Sequence, residues 1–267
     1  MRRGVKHRMF GLWQSRRQPP GGPEGQRAYV VGDIHGRLDL LDRLLSQIEA
    51  DVEQRPPGKA LLVFLGDLID RGPSSAEVVE RVRTYSRPGV RTVFLLGNHE
   101  EVLLRILGGE SALIAKWLRF GGAQCLKSYG VDPESLAGLD ETAALAAVRQ
   151  AIPPKHVEFL RSFVDTCRFG DYLFVHAGIR PGVPLDRQSQ SDLRWIREPF
   201  LADDTDHGFV VVHGHTIRPQ VEELPNRIGI DTGAYATGVL TTLVIDGTDR
   251  RIMATAEPVG DAVLPAH

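Results

Sequence analysis

The chain has 267 residues, 42% hydrophobic and 25% charged, with a formal net charge of -2. It reads as an ordinary soluble globular protein with room for a substantial core in one large or two small domains. The near-neutral balance excludes a global field that would select nucleic acid or a membrane surface, so partner choice must be local.

Residues 1–27 are rich in Arg, Lys, Pro and Gly, with Arg16 and Arg17 leading into Pro19-Pro20-Gly21-Gly22-Pro23, and read as a solvated basic tail. A first strand over 28–32 ends on Asp33-Ile34-His35-Gly36. Leu38, Leu41, Leu44, Leu45 and Ile48 then mark one face of a helix that fades by Pro56-Pro57. The apolar run 61–65 reads as a buried strand and turns sharply at Gly66-Asp67-Leu68-Ile69-Asp70-Arg71-Gly72. Two carboxylates and a guanidinium are thereby delivered to its carboxyl end, where open α/β sheets place their chemistry. A helix after Pro73 buries Val78, Val79 and Val82, and a strand over 92–96 leads into Gly97-Asn98-His99-Glu100, with Glu100 supporting the first turn of the next helix.

From 101 to 163 the pattern is helical, broken at Gly121-Gly122 and Tyr129-Gly130, and reads as an insert laid over the sheet. Strands return at 172–175, 209–212 and 227–230, ending on His176-Ala177-Gly178, His213-Gly214-His215-Thr216 and Asp231-Thr232-Gly233. Segments 239–245 and 251–256 read as further strands, and 258–267 as a frayed C-terminal tail after a domain spanning 28–257. The rhythm is that of a layered α/β fold. Cys125 and Cys167 have no CxxC spacing, which argues against a disulfide framework or a thiolate zinc site. No apolar stretch reaches the about 18 residues that a membrane span needs, and the start lacks the apolar core of a secretory signal. A cytoplasmic setting is the expectation.

Successive strands stop on metal-ligand chemistry: Asp33 and His35, Asp67, Asn98, His176, and His215. Residues two apart in extended chain face one side, so Asp33 and His35 form a clamp with Ile34 turned into the core. Oxygen and imidazole ligands without thiolate suit Mn, Fe or Zn. Six ligands are too many for one catalytic ion with open positions and suit two divalent ions about 3.5–4 Å apart, with Asp67 as the candidate bridge.

The segments Asp33-Ile34-His35-Gly36, 66–72, Gly97-Asn98-His99-Glu100, His176-Ala177-Gly178 and Gly214-His215-Thr216 resemble, in order, the motifs of the phosphoprotein phosphatase family of metallophosphoesterases. The likeness is to its bacterial and bacteriophage lambda-type branch; Trp117-Leu118-Arg119-Phe120-Gly121-Gly122, Trp195-Ile196-Arg197 and 230–234 agree with it. The resemblance implies a calcineurin-like α/β sandwich of two mixed sheets flanked by helices. It also implies one metal held by Asp33, His35 and Asp67, and a second by Asp67, Asn98, His176 and His215. His213 takes a place next to the ligands where it supports the site or packs structurally. Manganese is the first expectation, with iron or zinc as alternatives.

A hydroxide shared by the two ions would attack phosphorus in line, without a phosphoenzyme. Arg71 is a phosphate-binding candidate by its motif and Arg197 by its place after Trp195, with Arg194 a competitor. His99, oriented by Asp70, suits the acid that protonates the leaving group. The expected substrate is phosphoserine or phosphothreonine in a protein, with phosphotyrosine and aryl phosphates also in range. Hydrolysis of diadenosine tetraphosphate or a related dinucleoside polyphosphate is the alternative, because 176–179 and 231–233 also resemble the symmetrical tetraphosphatases. Those relatives tend to lack an acid at the position of Asp70 and to read GNHD where this chain has Glu100. A non-enzymatic phosphoprotein-binding module would lack ligands or the acid, and all are present. No stable nucleic-acid complex is expected.

Overall fold

A computed structural model describes residues 19–256. Residues 1–18 of the predicted tail, and the C-terminal tail, lie outside the described residues. Residues 20–26 differ from the expectation of a tail. The Gly22 N–H donates to the Gly247 carbonyl (2.8 Å) and the Tyr172 hydroxyl to the Pro20 carbonyl (3.1 Å). Glycine and proline here make a turn tacked across two sheets rather than a solvated arm.

The chain then runs through β1 (Gln26–Val31), α1 (Leu38–Gln54), β2 (Lys59–Phe64), α2 (Ser75–Arg83), β3 (Val90–Phe94) and α3 (Asn98–Gly108). The helical region continues with α4 (Ile114–Trp117), α5 (Ala123–Ser128), α6 (Glu141–Ala151) and α7 (Pro154–Arg161). The second half holds β4 (Thr166–Phe169), β5 (Tyr172–Val175), α8 (Gln190–Trp195), β6 (Val210–His213), β7 (Glu222–Glu223) and β8 (Arg227–Gly229). It closes with α9 (Ala234–Thr237), β9 (Thr241–Asp246) and β10 (Asp249–Ala254).

Alternation along β1 explains the layering. Ala28 and Val30 face one way and Tyr29 and Val31 the other, and all four are fully buried, so both faces of the strand must be covered. One sheet has the order β10-β9-β1-β2-β3 and the other β4-β5-β6-β8-β7. Within them β1, β2 and β3 are parallel, as are β5, β6 and β8, while β9, β10, β4 and β7 pair antiparallel at the flanks.

Between the sheets Val30, Val63 and Leu65 meet Phe174, Val212 and Ile230. Outside the first sheet Tyr29, Leu62 and Phe64 pack under Leu41, Leu44 and Ile48 of α1, Val78 and Val79 of α2, and Leu103 and Ile106 of α3. Outside the second, Leu173, Val175 and Val211 lie under Leu193 of α8 and Phe200. Each such side chain contributes about 1.5–3 kcal/mol on burial. The architecture is the expected α/β sandwich of two mixed sheets flanked by helices. Two strands escaped the reading of the sequence: β4 is Thr-Cys-Arg-Phe without clean alternation, and β7 has two residues, so both exist because a neighbour offers an edge to pair with. No helix among the described residues is long and apolar enough to cross a membrane.

Candidate metal and active site

The six parallel strands deliver one group of side chains: Asp33 and His35 after β1, Asp67 after β2, Asn98 after β3, His176 after β5, His215 after β6, and Asp231 after β8. The backbone leaving these strands is constrained. Among the described residues the non-glycine positions with positive φ are His35, Asp67, Asp70, Arg71 and His215. Each such conformation costs of order 1–3 kcal/mol and persists only where its surroundings over-determine it. They do so here. The Ile34 and His35 amides donate to the Asp67 carbonyl (3.1 and 2.9 Å) and the Gly36 amide to that of Leu68 (2.8 Å), which zips the first two turns together. Glycine is required where backbone passes a carboxylate, since a Cβ at Gly214 would sit 2.0 Å from Asp33 Oδ1 and one at Gly97 2.2 Å from Asp67 Oδ1.

Asp67 is the hub. Its Oδ2 lies 3.6 Å from His35 Nε2 and 3.9 Å from His99 Nε2, and its Oδ1 lies 3.5 Å from His176 Nε2. Asn98 Oδ1 is 2.9 Å from both His176 Nε2 and His215 Nδ1. Backbone carbonyls fix two of these rings: His35 Nδ1 donates to Ile69 O and His176 Nδ1 to Leu65 O, each at 2.8 Å. The Nε2 lone pair of each neutral ring therefore points at oxygen, an arrangement that a bound cation reconciles.

Two buried sets, His35, Asp67 and His99, and Asp67, His176 and His215, each bring their ligand atoms within 4.8 Å of one another. The donor chemistry fits a pair of divalent cations sharing Asp67. Burial holds His35, His176 and His215 below the usual imidazole range, hence neutral and able to ligate. Burial raises the pKa of Asp67, but the surrounding imidazoles of His176, His99, His35 and His215 outweigh it and keep the carboxylate ionised.

Asp33 falls in neither set. Its Oδ2 accepts from the His215 amide at 3.0 Å, and its Oδ1 is buried without a partner. Burial, Asp231 and Asp67 push its pKa well up. An orphaned carboxylate oxygen beside a second carboxylate is a further place where positive charge is wanted. Asp231 itself was noticed in the sequence only as part of a motif; burial raises its pKa to about 6.

His99 differs from the other rings. Its Nδ1 lies 2.6 Å from Asp70 Oδ2, and although burial opposes the charge, Asp67 and Asp70 raise its pKa above the usual imidazole value, which favours the protonated ring. Asp70 is fully buried and oriented in turn by the Trp117 indole N–H, which donates to both carboxylate oxygens (3.1 and 3.0 Å). Its own amide donates to Ser75 Oγ at 3.0 Å.

Glu100 does more than support a helix turn. Its carboxylate accepts from the amides of Asp67 (2.8 Å), Leu68 (2.8 Å), Ile69 (3.3 Å) and Gly97 (3.1 Å), fastening the turn after β2 to the start of α3. Burial and then the Asp67 charge act to raise its pKa, and the amides, which favour the charged form, pull against that.

A cleft of about 590 Å³ opens over these groups, lined by Arg71, Arg197 and Tyr235 near the ligands and by Lys116, Arg119 and Phe120 farther along the insert. The Arg71 guanidinium lies over the Tyr235 ring, 4.8 Å from its centroid, and the ring edge of Tyr235 also meets His35. Arg194, the competitor of Arg197, is buried in an ion pair with Asp165 (2.7 Å) and does not line the cleft. His213 turns away to the edge of Phe200, with ring centroids 5.1 Å apart.

Asp231, Glu100, Trp117 and Tyr235 are the residues whose place in the site the sequence did not disclose; for Trp117 the only signal was its motif.

The calcineurin-like phosphoesterase family model matches residues 27–233. Over 233 residues the chain is 28% identical to the asymmetrical bis(5'-nucleosyl)-tetraphosphatase of Anoxybacillus flavithermus, covering 80% of this chain and 88% of the relative. It is 30% identical over 224 residues to serine/threonine-protein phosphatase 1 of Salmonella typhimurium, covering 81% and 90%. A crystal structure of a candidate diadenosine tetraphosphatase superposes with a TM-score of 0.60 at 25% identity, covering 86% of this chain and 94% of that one. With its two sheets, its strand-end cluster of Asp, His and Asn and a family match over most of its length, the chain belongs to the calcineurin-like phosphoesterases.

Proposed function

We propose that this hydrolase of phosphoester bonds is a metal-dependent phosphomonoesterase acting on phosphoserine and phosphothreonine in proteins. The observation that carries the reading is the buried His99–Asp70 pair at 2.6 Å, beside Asp67. A serine or threonine alkoxide is a poor leaving group and needs a proton as the ester breaks; an imidazolium held by a carboxylate supplies one at neutral pH. A nucleotide leaves from a polyphosphate as a far weaker base and needs no such acid. His35, Asp67, Asn98, His176 and His215 would hold two divalent cations, with Asp33 beside them. Such ions supply a water of lowered pKa and neutralise phosphate charge. Arg71, braced on Tyr235, and Arg197 supply guanidinium forks for the phosphoryl oxygens.

A second reading, hydrolysis of a dinucleoside polyphosphate, is favoured by the names of several relatives and by the cations along the cleft. Parallel assays with a phosphothreonine peptide, p-nitrophenyl phosphate and diadenosine tetraphosphate, with Mn²⁺ and after chelation, decide between them. The phosphopeptide is expected to be cleaved with the higher kcat/KM, and only with metal. A strong preference for the dinucleotide overturns the substrate, and activity that survives chelation overturns the mechanism.

A further inference from the structure

We propose that Lys116 and Arg119 form a second anion subsite in the cleft, for carboxylate side chains close to the phosphoresidue of a protein substrate. The inference rests on the phosphoprotein reading above and adds to it a basis for choosing among phosphoproteins.

The segment that bears these cations is built into the catalytic turn. Between α4 and α5 the helix is interrupted by a wide turn over Leu118–Gly122, with Phe120 and Gly121 in non-helical conformation and Gly121 at φ 113°. The inward side of this segment is committed to two neighbours in sequence. Trp117, 3% exposed, donates its indole N–H to Asp70, and the Gly121 carbonyl accepts the Arg71 amide at 3.1 Å. The fit leaves no slack, because a Cβ at Gly121 would lie 2.6 Å from the Arg71 nitrogen and one at Gly122 2.3 Å from the Trp117 ring. Lys116 and Arg119 are on the other side, exposed and lining the same cleft as Arg71 and His99. Their distance from the scissile phosphate is thus set through Arg71, which would bind it, and Asp70, which orients His99.

The charge inventory points to a ligand. Of the cleft-lining residues only Asp67 is acidic, and histidines surround it. Arg105 is occupied by Glu110 at 2.6 Å. Lys116 and Arg119 have no carboxylate partner among the described residues. One phosphate dianion would be met by Arg71, Arg197 and the cations that the ligand cage would hold, which leaves Lys116 and Arg119 available to a second anion of the substrate. Acidic side chains next to a phosphoserine or phosphothreonine are the anions a protein substrate carries there. Solvent-exposed cations select such groups through long-range attraction and register.

The test uses the full-length, metal-loaded enzyme and three phosphothreonine peptides that differ only in flanking Asp, Ala or Lys residues. Wild type is expected to favour the acidic peptide over the neutral one by roughly tenfold in kcat/KM, about threefold for each exposed charge pair. K116A/R119A should bring that ratio close to one through KM, and K116E/R119E should invert it in favour of the basic peptide. An unchanged ratio in both variants, or a wild type indifferent to flanking charge, overturns the subsite and leaves the phosphoprotein reading in place. A wild type that cleaves none of the peptides but cleaves diadenosine tetraphosphate overturns the phosphoprotein reading and the assigned ligand together.

Discussion

The two sheets contribute unequally to the site. The turns of the first, 33–36, 66–72 and 97–100, are bound to one another through the Asp67 and Leu68 carbonyls and through the four amides on Glu100. They hold four of the five non-glycine residues with positive φ. The second sheet offers His176 and His215 from strand ends joined by single backbone bonds, the Gly214 amide on the His176 carbonyl (2.8 Å) and the Ile230 amide on the His213 carbonyl (2.9 Å), with the His215 amide on Asp33. The groups whose proposed work would depend most on position, Asp67, the His99–Asp70 pair and Arg71, all sit in the stiffer half. The other half supplies two imidazoles, His176 oriented by the Leu65 carbonyl and His215 by the Asn98 side chain, which would serve as ligands.

The contrast can be broken at its hub. Asp67→Asn is expected to lower kcat/KM on the order of 10³-fold, since a full charge shared by both ligand sets is lost, with metal content per chain falling alongside it. His176→Ala should cost less in both readouts; equal losses would mean that the halves contribute alike.

His99→Ala is expected to lose about 10²-fold or more on a phosphothreonine peptide and much less on p-nitrophenyl phosphate, whose leaving group needs little proton assistance. Equal losses on the two esters would remove the acid role.

Glu100→Gln sharpens the stiffness argument. It replaces an acceptor of four amides by a group that must turn an N–H toward some of them, at a cost of about 2–4 kcal/mol. Thermal unfolding should fall by roughly 5–15 °C, whereas His215→Ala should move it less in metal-free protein. A silent Glu100→Gln would show that the turns are held by other means.

The smallest effects test the supports. Trp117→Phe removes the N–H on Asp70 while keeping an aromatic ring in the core, and about a tenfold loss on the alkyl ester with a lesser loss on the aryl ester is expected. Tyr235→Leu, which takes away the face under Arg71, should raise KM about threefold.

The strand-end places of Asp33, His35, Asp67, Asn98, His176 and His215 were legible because a strand ending on Asp, His or Asn is a local event, repeated along the chain. The face of α1 was legible for the same reason, in Leu41, Leu44, Leu45 and Ile48. Glu100 was read by its neighbours in sequence as the opening of a helix, but three of its four partners are more than 30 residues away. Trp117 reaches Asp70 across 47 positions, and nothing in the spacing of either announces the other. Arg197 and its competitor Arg194 separate because only the fold puts Asp165 next to one of them.

By itself the sequence determined the α/β strand-and-helix rhythm and which side chains stand at the ends of strands, because apolar periodicity and turn chemistry act over a few residues. Only the tertiary structure decided which carboxylates and rings meet, which arginine stays unpaired and which face of the insert looks into the cleft. Those are outcomes of long-range packing, where burial, desolvation and the competition for hydrogen-bond partners are settled between residues far apart in the chain.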